Sequence, residues 1–131
     1  MKISTFATDL DLEENGVWVD IGDGGMLLVG RLGNPRHQAA IRRISKPHKA
    51  LIRNKTINEE LSDELLLRAM AEAILLDWKG IEDDKGKAIK YSKDAAYDLL
   101  RDLRDFRNLV TELANEQVTF RREEQLQEGN V

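Results

Sequence analysis

The chain contains no cysteine. That excludes disulfides, thiolate metal sites and a thiol nucleophile, and it suits a reducing compartment. Proline occurs twice and aromatic residues seven times (two Trp, two Tyr, three Phe) in 131 residues. Leucine, isoleucine, valine and alanine must therefore fill most of a single modest core. No apolar run reaches the ~18 residues that a membrane span requires. The start, Met1-Lys2-Ile3-Ser4-Thr5-Phe6-Ala7-Thr8-Asp9, lacks the apolar centre of a secretory signal. The expectation is a soluble protein of the cell interior. Histidine is equally scarce. His37 and His48 are too far apart for an HExxH zinc pair, and they read as surface histidines of a basic segment.

Charge is abundant but segregated. Residues 1–23 carry six acids against the single base Lys2, and residues 59–131 carry 18 acids and 11 bases. Between them, residues 24–58 hold eight bases and no acid: Arg31, Arg36, Arg42, Arg43, Lys46, Lys49, Arg53 and Lys55. Such a segment can track a phosphate backbone, meet an acidic protein surface, or be a solvated face. Nucleic acid is disfavoured, because no aromatic is interleaved for base stacking and the whole chain is acidic, with a pI of about 5.3.

Val17-Trp18-Val19-Asp20-Ile21 reads as a strand, Gly22-Asp23-Gly24-Gly25 as a turn, and Met26 to Leu32 as the return strand, which predicts a β-hairpin over 17–32. Asn34-Pro35 predicts a helix start, with Ala40, Ile41 and Ile44 on one face and Arg42 and Arg43 on the other; Pro47 ends or kinks it. Leu51 and Ile52 continue into a second short helix. The strongest helix spans 59–77, apolar nearly all round from Leu65 to Leu76 except for Arg68 and Glu72. Ile81 and Ala88-Ile89 flank a polar turn and can pair. Ser92 caps another helix with Ala96, Leu99, Leu100 and Leu103 on one face, and Phe106, Leu109, Val110 and Leu113 continue the period. No Gly or Pro marks a break between those two sets. The tail after Phe120 is polar.

Motifs for bond-making chemistry are missing. The turn Glu82-Asp83-Asp84-Lys85-Gly86 fails as an EF-hand, because Gly86 at position six would put Ile81 and Ser92 where carboxylates belong. Gly22-Asp23-Gly24-Gly25 is followed by a strand and no GK[ST], so it is no phosphate cradle. No catalytic residue, metal or cofactor is expected. Trp78 reads either as a core plug or as an interface anchor.

The order of these pieces resembles the tail assembly chaperones of long-tailed, non-contractile phages. That family shows a basic helical region, an Ala-rich apolar helix, a Trp-x-Gly, an acidic Asp/Gly turn and an aromatic-Ser/Thr helix start. A closing helix ends near Ala-Asn-x-x-x-Phe. The counterparts here are Arg42-Arg43 to Arg53, Ala69 to Leu76, Trp78-Lys79-Gly80, Asp83-Asp84-Lys85-Gly86, Tyr91-Ser92, and Ala114-Asn115 to Phe120, within residues 26–122. The resemblance implies a protein of the host cytoplasm that coats the tape-measure protein, keeps it soluble, recruits tail-tube subunits and leaves before the virion is complete. A frameshifted longer form is common in the family, and this chain would be the short one. One departure is visible: the link that often carries Pro-Asp reads Leu103-Arg104-Asp105, which leaves the separation of the last two helices open.

The sequence therefore predicts a predominantly helical α+β fold, with a small N-terminal β-hairpin followed by four to five helices, in one domain over 1–122 with a polar, disordered tail at 123–131. The function expected is non-enzymatic: a tail assembly chaperone that binds the tape-measure and tail-tube proteins, self-associates and has no membrane partner. Candidate partner contacts are Arg36, Arg42, Arg43, Lys46, Arg53 and Trp78. The rival is a small DNA-binding regulator that uses the basic helices of 35–53.

Overall fold

The structure, a computed structural model, describes residues 1–121. The expected tail lies outside the described residues. A 3-10 turn (Ile3–Phe6) and the short helix α1 (Leu10–Asn15) open the chain. The Asp9 carboxylate caps α1, accepting from the backbone N–H of Asp11 at 3.0 Å and of Leu12 at 3.4 Å.

The expected hairpin follows as β1 (Val17–Gly22) and β2 (Gly25–Val29). Its connection places Asp23 at φ 53° and Gly24 at φ 80°. Two successive left-handed residues give the turn whose twist matches that of the flanking strands. Leu27 and Val29 of β2 point into the core. The strand stops at Val29 instead of Leu32, because the next three amides leave the ladder for three different elements. The N–H of Gly30 donates to Ile74 O (2.8 Å), that of Arg31 to Glu13 O (2.9 Å) and that of Leu32 to Ala114 O (2.9 Å).

Among the described residues, five helices follow the hairpin: α2 (Pro35–Ser45), α3 (Lys49–Arg53), α4 (Glu59–Ala73), α5 (Lys93–Asp102) and α6 (Arg104–Asn115). The fold is α+β and dominated by helix. The helix expected over 59–77 ends at Ala73, and Leu75–Lys79 is instead a strand, β3. It pairs antiparallel with β2, with Leu27 opposite Trp78 and Leu28 opposite Asp77, so the hairpin becomes a three-stranded sheet in the order β1-β2-β3. An unbroken apolar run suits a buried helix and a buried strand equally. The free edge of β2 decides between them, since its buried backbone groups need partners.

Helix α4 organises the core. Ala69 and Ala73, one turn apart, meet Ala40 of α2, with Ile41 and Ile44 alongside. Leu67, Met70 and Ala71 turn toward Leu27 and Val29 of the sheet, Ala96, Tyr97 and Leu100 of α5, and Val110 and Ala114 of α6. Helices α5 and α6 are separate, divided at Leu103 (φ −116°, ψ 95°). This single extended residue caps both helices without glycine or proline. Phe120, in a closing 3-10 turn (Gln117–Phe120), is completely buried.

The segment between β3 and α5 is held by two aromatics. The Trp78 indole N–H donates to Ile89 O at 2.7 Å, and the Tyr91 hydroxyl donates to Leu75 O at 2.6 Å. Their rings meet edge to face, 5.0 Å apart at 83°. Ile89 N–H donates to Ile81 O at 2.8 Å, closing the expected small pairing. The Asp83 carboxylate accepts from the N–H groups of Lys85 and Lys87, each at 2.9 Å, so its role is to hold a turn.

Burial, reinforced by the Asp77 charge, pushes the Tyr91 hydroxyl up to about 12. The unfolded chain releases that proton near pH 10, so stability falls as pH rises from about 10 toward 12. Tyr91→Phe is expected to cost about 1–2 kcal/mol at neutral pH, for a lost hydrogen bond to a buried carbonyl. It should also flatten the alkaline loss. Urea unfolding of both proteins across this pH range checks the two effects, and equal alkaline slopes would contradict the assignment.

Candidate interaction surface

The basic segment folds into an arm made of α2, a 3-10 turn (Lys46–His48) and α3. Its root is fixed by local chemistry. Asn34, almost fully buried, caps α2 by accepting from His37 N–H at 3.0 Å and also donates to Arg31 O at 2.8 Å. Pro35 occupies the first helical position, where a missing N–H costs nothing. His37 is not the surface residue expected from the sequence. It is buried, and its Nδ1 accepts from Gly33 N–H at 3.0 Å.

Burial lowers the His37 pKa from its ordinary 6.5. The unfolded chain takes up this proton first, so stability is full above pH 6.5 and falls as pH drops through that value toward the lowered one. His37→Gln, which keeps an acceptor at this position, is expected to lose less stability between pH 7 and pH 5 than the natural chain. Identical losses would mean that His37 does not set the acid-side loss of stability.

The outer part of the arm leaves the core. The only buried residues of α2 are His37 and Ala40, and α3 has none. All five residues of α3 are exposed, including Leu51 at 41% and Ile52 at 42%. A cleft of about 480 Å3 lies in the corner between α2 and α3, lined by Arg42, Ser45, Lys46, Lys49, Ile52 and Arg53. Among the described residues, no acid pairs with Arg36, Arg42, Lys46, Lys49 or Arg53. Unbalanced positive charge thus surrounds an apolar floor.

The candidate contacts separate into three groups. Arg42, Lys46 and Arg53 converge on the cleft, and Arg36 is exposed nearer the root of the arm. Arg43 is exposed but ion-paired with Glu72 of α4, which Lys93 also approaches at 3.5 Å. Arg31, from the same basic run, pairs with Glu13 at 2.6 Å and lies over the Phe120 ring. Trp78 is only 5% exposed and belongs to the core, away from the arm. Lys49, Leu51 and Ile52 were not singled out from the sequence. Arg42, Lys46, Lys49 and Arg53 recur at intervals of four, three and four, a helical stripe that Pro47 disguises as an interruption.

Among the described residues, no group of three His, Cys, Asp or Glu side chains could hold a metal ion, and no helix is long and apolar enough to cross a membrane. What stands out is a small helix-dominated α+β domain with a protruding basic arm. The sequence profile of the YdaY prophage protein family matches residues 32–130. The chain belongs to that family and is thereby a phage-derived protein. The matched region begins just after β2, so it takes in the whole arm and β3. No curated protein and no solved structure matches the chain.

Proposed function

We propose that this prophage protein is a tail assembly chaperone. It binds the phage tape-measure protein in the host cytoplasm, keeps it soluble and helps bring tail-tube subunits to it, without catalysis and without entering the finished particle. The observation that carries this reading is α3, whose five residues are all exposed, with two large aliphatic side chains beside cations that pair with no acid among the described residues. A helix this short gains almost nothing from its own hydrogen bonds. An apolar patch rimmed by charge is the pattern of a surface that meets a partner. The partner chemistry fits: a long helical protein, apolar along one side, aggregates when bare, and a coat of weak, salt-sensitive contacts protects it yet comes off. The order of sequence motifs shared with tail assembly chaperones points the same way.

The rival, a DNA-binding regulator, draws on two basic helices joined by a three-residue turn. Its weakness is length. Five residues of α3 span about 7.5 Å, little more than one turn, which is short for a helix that reads a major groove.

Pull-down of the tape-measure protein from the same prophage, run beside a salt titration of duplex DNA binding, separates the two. Capture of the tape-measure protein without DNA binding supports the chaperone. Salt-dependent DNA binding without capture supports the regulator. The preferred probe is Arg42→Glu with Lys46→Glu, because Arg43→Glu would place a like charge against Glu72 and disturb the fold itself.

A further inference from the structure

We infer that copies of this chain associate head to tail, the N-terminal segment of one seated on the α2–α3 cleft of the next. Two solvent-facing apolar surfaces carry the inference. The first is the N-terminal segment, where Met1, Ile3, Phe6 (62% exposed) and Leu10 (71% exposed) face solvent. Asp11 and Glu14, on the helix that Leu10 opens, give it acidic charge, whereas Glu13 of the same helix is taken up by Arg31. The second is the cleft, where Ile52 sits among Arg42, Lys46, Lys49 and Arg53, with Leu51 exposed on the same short helix. One surface is apolar and acidic, the other apolar and basic. Apolar contact supplies adhesion, and opposite charge sets the orientation and the on-rate.

The two surfaces belong to different parts of the molecule. The N-terminal segment is tied to the closing turn, through Asp9 N–H to Phe120 O at 2.8 Å and the Gln117 side chain to Thr5 O at 3.2 Å. The arm is rooted on α4. A contact between unlike patches is heterologous. With one such contact between each pair of copies, it extends into rings or open arrays and does not stop at a two-fold dimer. A coat along a long helical protein needs that kind of growth. The inference rests on the arm being a contact surface, but it concerns the chain alone.

Sedimentation velocity on the purified full chain tests it, without any tape-measure protein, so that failure here leaves the pull-down result standing. The expected result is a weight-average mass that rises past the dimer from low micromolar to millimolar concentration and falls back in high salt. Phe6→Ser with Leu10→Ser should remain monomeric, as should Arg42→Glu with Lys46→Glu. Mixed in equal amounts, these two variants should form a dimer and nothing larger, since each retains one intact surface. All four positions are exposed, and a matching far-UV spectrum and cooperative melt confirm folding. Should the serine variant fail to fold, Asp11→Lys with Glu14→Lys replaces it. Combining that pair with Arg42→Glu and Lys46→Glu in one chain should restore association. A monomer at every concentration, a natural chain that stops at a dimer, or variants that associate as the natural chain does would each overturn the inference.

Discussion

Trp78→Ala is expected to destabilise the domain by about 3–5 kcal/mol, the cost of truncating a large buried aromatic. That is a large share of the 5–15 kcal/mol typical of a domain. Three losses combine. The indole fills the core opposite Leu27, where β3 pairs with β2. Its N–H holds Ile89 O, and with that bond gone a half-buried carbonyl loses its partner. Its ring also braces Tyr91, whose hydroxyl holds the carbonyl of Leu75. The variant should melt far below the natural chain, or be recovered only as unfolded material. Trp78→Phe keeps most of the volume and loses only the N–H, so its cost should be about 1–2 kcal/mol. Equal melting temperatures for the natural chain and Trp78→Ala would mean that Trp78 lies outside the core.

Gly80→Ala is the second large effect. Gly80 sits at φ +67°, where a side chain is strained, and an added Cβ would lie 2.1 Å from the carbonyl oxygen of Gly24. The obstacle is backbone, in the tight turn between β1 and β2, so no flexible side chain can yield. The left-handed conformation alone costs about 1–2 kcal/mol, and the clash must displace either the end of β3 or the hairpin turn. Gly86→Ala is the internal control. It has a similar φ of +80°, but its nearest neighbour is a flexible carboxylate oxygen of Glu82 at 3.5 Å. Chemical denaturation of both variants should show Gly80→Ala well beyond Gly86→Ala. Hydrogen exchange should locate the damage at the Met26–Lys79 end of the sheet. Equal costs would mean that the close approach to Gly24 carries no weight.

These two sites also mark what the sequence could and could not reveal. Features set by neighbouring residues were legible. Asp23-Gly24 turns the hairpin, Asn34-Pro35 starts α2, Ser92 caps α5 by accepting from Ala95 N–H at 3.0 Å, and Ile81 pairs with Ile89. Features set by distant partners were not. Strand β3 hid inside an apolar run because only the presence of β2 makes Leu75–Lys79 extended. The break at Leu103 carries no breaker residue. His37 looked like a surface residue because the fold of the Gly33-Asn34 turn, which buries it, cannot be read from its basic neighbours.

For the interaction surface, charge was legible and geometry was not. Eight bases without an acid announced the arm, but the sequence could not show that Arg31 and Arg43 are taken up by Glu13 and Glu72. Nor could it show that Leu51 and Ile52 would stay uncovered; for Trp78 it offered core or interface, and the structure places the residue in the core. The exposed apolar residues at the N-terminus gave no periodic signal, because they sit on a turn and a short helix.

The proposed role of this prophage protein is to keep a tape-measure protein soluble through its basic arm. The most direct measurement is the soluble fraction of that tape-measure protein when it is co-expressed with the natural chain, with Arg42→Glu plus Lys46→Glu, or alone. The expected result is a soluble complex holding many copies of the natural chain, and aggregation both with the arm variant and without any partner. A tape-measure protein that stays insoluble beside the natural chain would contradict it.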